Sequence, residues 1–98
     1  MIDHLKSKAV VLYLSVGRSS YPKKDPEALD QEFGPEGAEL RRYVKELLAE
    51  MYTIPIDWQV HSYQSGIDAV KVEMHARHPE LSEDAIQALR WDLSYQWK

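Results

Sequence analysis

Between Ile54 and Pro79 the chain alternates twice between apolar and polar residues, and a period of two restricts the fold more than any other feature of the sequence. Ile54, Ile56, Trp58 and Val60 take the even positions, with Pro55, Asp57, Gln59 and His61 between them. After Tyr63-Gln64-Ser65-Gly66 the pattern resumes, with Val70, Val72, Met74 and Ala76 set against Lys71, Glu73, His75 and Arg77. Successive side chains of a strand point to opposite faces, so the pattern predicts a hairpin with one wet face and one dry face. Residues opposite one another share a face, which requires an odd-numbered connection or a bulge.

Upstream, the run from Ala9 to Val16 is short, rich in branched residues and bounded by Gly17. Apolar residues on both parities predict a strand covered on both sides. Residues 17–24 (GRSSYPKK) read as a polar loop. Asp25-Pro26-Glu27 then opens a helix: the Asp carboxylate accepts an orphan backbone N–H, and Pro fits the first helical position. Leu29 and Phe33 form its apolar stripe, and Gly34-Pro35 ends it. A longer helix follows to about Met51, with Leu40, Val44, Leu47, Leu48 and Met51 at core spacing. In the last helix Ser82 is placed to cap, Glu83 and Asp84 fill the first turn, and Leu81 is set to staple against Ile86. Ile86, Leu89, Leu93 and Trp97 make its core stripe, beside a second stripe of Ala88, Trp91 and Tyr95. The expected order is β-α-α-β-β-α. That describes an α+β two-layer sandwich, a small antiparallel or mixed three-stranded sheet covered by two main helices.

Ninety-eight residues suit a single domain, 1–98. The absence of cysteine excludes disulfides, thiolate metal sites and cysteine nucleophiles, and it fits a reducing compartment. An acid near the start and an apolar run of only eight residues argue against a signal peptide or a membrane span, so a cytoplasmic location is expected. The net charge is −4, and it is unevenly spread. From Asp25 to Glu39 there are six acids and no base, flanked by Lys23-Lys24 and by Arg41, Arg42 and Lys45. Such a surface repels a phosphate backbone and attracts a basic partner.

Gly34-Pro35-Glu36-Gly37 is a GxxG tetrapeptide ahead of the long helix, and with the expected element order it resembles the KH nucleic-acid modules. The resemblance is one of topology. In that module the loop clamps a nucleotide backbone, and the Glu36 carboxylate opposes phosphate there. A KH-like binder is therefore an alternative reading, with nucleic acid not the expected partner. On the wet hairpin face His61 and His75 lie near Asp57 and Glu73, a set from which a divalent-ion site or an acid–base pair would have to be built. His75-Ala76-Arg77-His78 lacks the helical metal spacing, so no metal and no cofactor are expected. Neither a phosphate-binding Gly-Lys-Ser/Thr loop nor a nucleophile elbow is present. An acid–base enzyme using the two histidines is the third reading.

Trp91 and Tyr95, one turn apart with Arg90 adjoining, are residue types that dominate interface energetics when exposed together. The leading expectation is a small, acidic, non-enzymatic protein-binding domain. Its expected form is an immunity or antitoxin-type inhibitor that covers a basic partner such as a nuclease, with homodimerisation through the wide last helix as a variant. The expected partner-binding residues are Glu27, Asp30, Glu32, Glu36, Trp91 and Tyr95.

Overall fold

Every segment that the period-two pattern assigns to a strand is helical or irregular. A computed structural model describes residues 1–96, and among these no residue is in a strand. The helices are α1 (His4–Tyr13), α2 (Pro26–Phe33), α3 (Gly37–Thr53), α4 (Tyr63–Arg77) and α5 (Glu83–Gln96). A 3-10 turn, Gly34–Glu36, joins α2 to α3. The α+β sandwich and its three-stranded sheet are thereby overturned, and with them the KH-like topology.

The supposed second strand of the hairpin is α4. Ser62 caps it, its hydroxyl accepting the Ser65 N–H at 3.2 Å, so Tyr63–Gly66 is a first helical turn and not a hairpin loop. Gly66, Ile67, Val70 and Met74 are the buried residues, and their spacing is helical. Val72 is 67% exposed; it supplied the false alternation. The supposed first strand is irregular: the Val60 and His61 N–H groups donate to Asp57 O at 3.1 and 3.0 Å, and the Asp57 side chain accepts from Gln59 N at 3.0 Å. Trp58 and Val60, placed on a dry face by the pattern, are 39% and 75% exposed.

The Ala9–Val16 run begins earlier than its apolar residues do. Asp3 accepts the Lys6 N–H at 3.0 Å and starts α1 in polar sequence. The run is apolar on both parities because α1 packs against α2, α3 and α5 together. It ends where Ser15 (φ 61°) and Gly17 (φ 81°) take left-handed backbone and turn the chain away.

The remaining helices follow their spacing. Asp25 accepts the Ala28 N–H at 3.2 Å, and Gly34 (φ 58°) stops α2. Leu40, Val44, Leu47, Leu48 and Met51 of α3 are all buried. Ser82 accepts the Ala85 N–H at 3.3 Å at the start of α5, whose Ile86, Leu89 and Leu93 are buried. Trp97, assigned to that stripe, lies outside the described residues. These side chains join Val10, Leu14, Leu29, Ile67 and Met74 in one core, each large aliphatic side chain contributing about 1.5–3 kcal/mol by leaving water. No helix is long and apolar enough to cross a membrane among the described residues.

Candidate functional site

The N-terminal turn of α1 and the first half of α3 enclose a cleft of about 510 Å³. Leu5, Leu40 and Tyr43 supply its apolar surface, and Asp3, Glu36, Glu39 and Glu46 supply carboxylates, against the bases Lys6 and Arg42. Helical geometry makes this arrangement: residues 39, 40, 43 and 46 share one side of α3, and Glu36 ends the 3-10 turn just before it. Among the described residues Glu36, Glu39 and Glu46 form no ion pair. The Lys6 ammonium lies 4.8 Å from the centre of the Tyr43 ring, a cation on an aromatic face.

The expected acidic surface is therefore divided. Glu27, Asp30, Glu32 and Glu36 are all exposed, but Asp30 pairs with Arg41 (3.3 Å) and Glu32 with Lys8. Only Glu36 lines the cleft, together with Glu39 and Glu46, which were not among the expected site residues. Trp91 lines a different groove of about 510 Å³ with Val11, Val16, Asp84, Gln87 and Ala88. Tyr95 meets Trp91 edge-on at 6.2 Å, and its hydroxyl donates to Ser20 O at 3.3 Å. The two openings share no lining residue.

The hairpin histidines are not brought together. His61 lies 2.7 Å (Nδ1) from Ser65 Oγ and lines a shallow cleft with Asp57, Glu73 and Arg77, while His75 is exposed on α4 and does not line it. Among the described residues no group of three His, Cys, Asp or Glu side chains is arranged to hold a metal ion.

Two polar clusters escaped the sequence reading. In the first, His78 sits between Glu50 (Nε2 to Oε1, 2.9 Å) and Glu80 (Nδ1 to Oε2, 3.3 Å). Tyr43 donates to Glu80 at 2.7 Å and Arg77 to Glu50 at 3.0 Å, so the ring on the cleft floor is anchored to the α4–α5 turn. Burial alone would raise both carboxyls, yet the bonds from Arg77 and His78 hold Glu50 below the usual range, and those from Tyr43 and His78 do the same for Glu80. In the second cluster Asp92, 1% exposed on α5, accepts the hydroxyl of Tyr52 from the end of α3. Burial pushes the Asp92 carboxyl up, and the Tyr52 bond and the Lys24 charge offset this only in part. Its position was legible, since Ala85, Ala88, Leu89 and Asp92 follow one helical stripe.

Comparison of the chain with protein-family models, with curated proteins and with solved structures gives no match.

Proposed function

We propose that the chain is a small helical protein-binding module that receives a basic side chain of a protein partner in the α1–α3 cleft. The observation that carries this reading is the cleft itself: unpaired Glu36, Glu39 and Glu46 beside a floor of Leu40 and Tyr43, on which the chain's own Lys6 already rests. Carboxylates select a cation, and the apolar floor accepts the aliphatic stem that carries it. Lys6 marks the mode of recognition, and an incoming arginine would compete with it for the ring. The reading is non-enzymatic, and a small acidic inhibitor of the immunity or antitoxin kind, seated over a basic active site, is the biological form it fits. The half-buried Trp91 and the exposed Tyr95 would serve as a second, apolar contact.

Charges that steer association act through rates, and exposed charges are screened beyond roughly 8–10 Å at physiological salt. For a basic partner co-purified from the native host, the association rate is expected to fall as salt rises. Replacing Glu36, Glu39 and Glu46 together by Gln is expected to slow association about tenfold or more and to flatten the salt dependence. Replacing Glu27 and Glu32 by Gln should do little. Equal effects of the two sets would show that the acids act only as a diffuse field and that the cleft is not the site.

A further inference from the structure

The segment 14–25 crosses from the end of α1 to the start of α2, held by hydrogen bonds at its ends and by one side chain set on the Tyr52 ring. The Lys23 N–H donates to Leu14 O at 3.3 Å and the Asp25 N–H to Tyr13 O at 2.8 Å, while the Ser15 hydroxyl donates to Lys23 O at 2.6 Å. Ser15 is buried and holds left-handed backbone (φ 61°), a conformation that residues with side chains keep only where their surroundings force it. Between the two tethered amides, Lys24 places its ammonium 5.4 Å from the centre of the Tyr52 ring. The hydroxyl of that same ring donates to the buried Asp92 carboxylate. Strap, α3 and α5 thus meet at Tyr52.

We propose that segment 14–25 is a strap latched by the ionised carboxylate of Asp92 and loosened when that carboxylate takes a proton. Among the described residues the titratable and charged groups that bear on Asp92 are the neutral phenols Tyr52 from α3 and Tyr13 from α1 and the ammonium of Lys24 from the strap, with Arg41 of α3 acting on Tyr13. Among the described residues Lys24, set on the Tyr52 ring whose hydroxyl bonds Asp92, is the cation whose charge lowers the Asp92 carboxyl, and the attraction is reciprocal: the carboxylate that gains from Lys24 also holds it. The proton removes the attraction and leaves the Tyr52 hydroxyl bonded to a neutral acid, so the strap keeps its hydrogen bonds to Tyr13 and Leu14 but loses the hold on Lys24, while the core keeps its packing. What the strap controls follows from what it carries. Val16 forms a wall of the Trp91 groove and Ser20 accepts the Tyr95 hydroxyl, so loosening the strap opens that groove and frees Tyr95 from Ser20. This inference does not depend on the α1–α3 cleft.

The test is amide hydrogen exchange on the full chain across acid to neutral pH, corrected for the intrinsic pH dependence, with the Lys23 and Asp25 amides as reporters and α3 amides as the reference. Lys24→Gln and Asp92→Asn are expected to speed exchange at the two reporters about two- to fivefold at neutral pH, leaving α3 protection in place. In the unaltered chain the same acceleration should set in on acidification, above the pH at which an ordinary Asp titrates, and it should be missing in Asp92→Asn. Lys24 is a surface residue, so Lys24→Gln decides the matter even where Asp92→Asn disturbs the core. Wild-type protection in Lys24→Gln would overturn the proposal. So would an acid step that persists in Asp92→Asn, since the strap would then answer to a group other than Asp92.

Discussion

Asp92 is a carboxylate on the buried stripe of α5, where Ala85, Ala88 and Leu89 precede it. A buried charge with one hydroxyl partner opposes folding unless it is neutralised. Its raised folded pKa means the native state binds the proton more tightly than the unfolded chain does, so this group's contribution falls as pH rises through and above the ordinary Asp value. Glu50 and Glu80 have the opposite sign. Their folded values are depressed, so their contribution is present above the ordinary Glu value and is lost as pH falls through the folded ones. Asp92→Asn is therefore expected to raise the melting temperature at neutral pH, with the gain shrinking toward acid where the wild-type carboxyl is itself protonated. A gain that is the same at every pH, or a loss at neutral pH, would contradict this reading of the site. Replacing the partner is a different matter: Tyr52→Phe leaves the buried carboxylate without its donor and should destabilise, by about 1–3 kcal/mol.

At the scale of elements, Val70 and Val72 separate the two folds that this sequence can be read into. In a strand they share a face; in α4 one is buried and the other is 67% exposed. Val70→Asp is expected to unfold the domain by burying an unpaired charge, while Val72→Asp should change stability by no more than about 0.5 kcal/mol. Thermal or denaturant melts of the two variants check this, and equal, severe loss in both would restore the hairpin. The helices that the sequence made legible were those with their ends written in side chains. Asp25-Pro26 and Gly34 bound α2, the Leu40–Met51 spacing defines α3, and Ser82 with Glu83 opens α5. The misread segments carried end signals too, at Asp3 and Ser62; at Ser62 the signal was outweighed by local alternation to which the exposed Val72 and Ala76 contribute. Apolar residues on both parities of 9–16 were taken for a two-sided strand, when a helix surrounded by α2, α3 and α5 has the same composition. Short apolar runs do not distinguish the two; caps and length do.

For the molecule as a whole, charge was legible and its arrangement was not. The excess of acids between Asp25 and Glu39 is plain in the sequence, but the pairing of Asp30 with Arg41 and Glu32 with Lys8 withdraws two of them from any partner. The carboxylates left over, Glu36, Glu39 and Glu46, gather with Asp3 around Tyr43 only because α1 is a helix packed along α3, a juxtaposition of residues some forty apart that the expected sheet would not make. Trp91 and Tyr95 do come together, with Trp91 lining a separate groove, so the predicted site residues are not gathered on one surface. That the cleft, and not the acidic surface at large, takes a basic side chain is the central claim. Its most direct measurement is a two-dimensional amide NMR titration with a short arginine-rich peptide, repeated with the three cleft glutamates changed to Gln. The predicted result is a set of saturable shifts confined to Leu5, Lys6, Glu36, Glu39, Leu40 and Tyr43, which the triple replacement abolishes. Shifts spread over Glu27, Asp30 and Glu32 and unaffected by that replacement would contradict it.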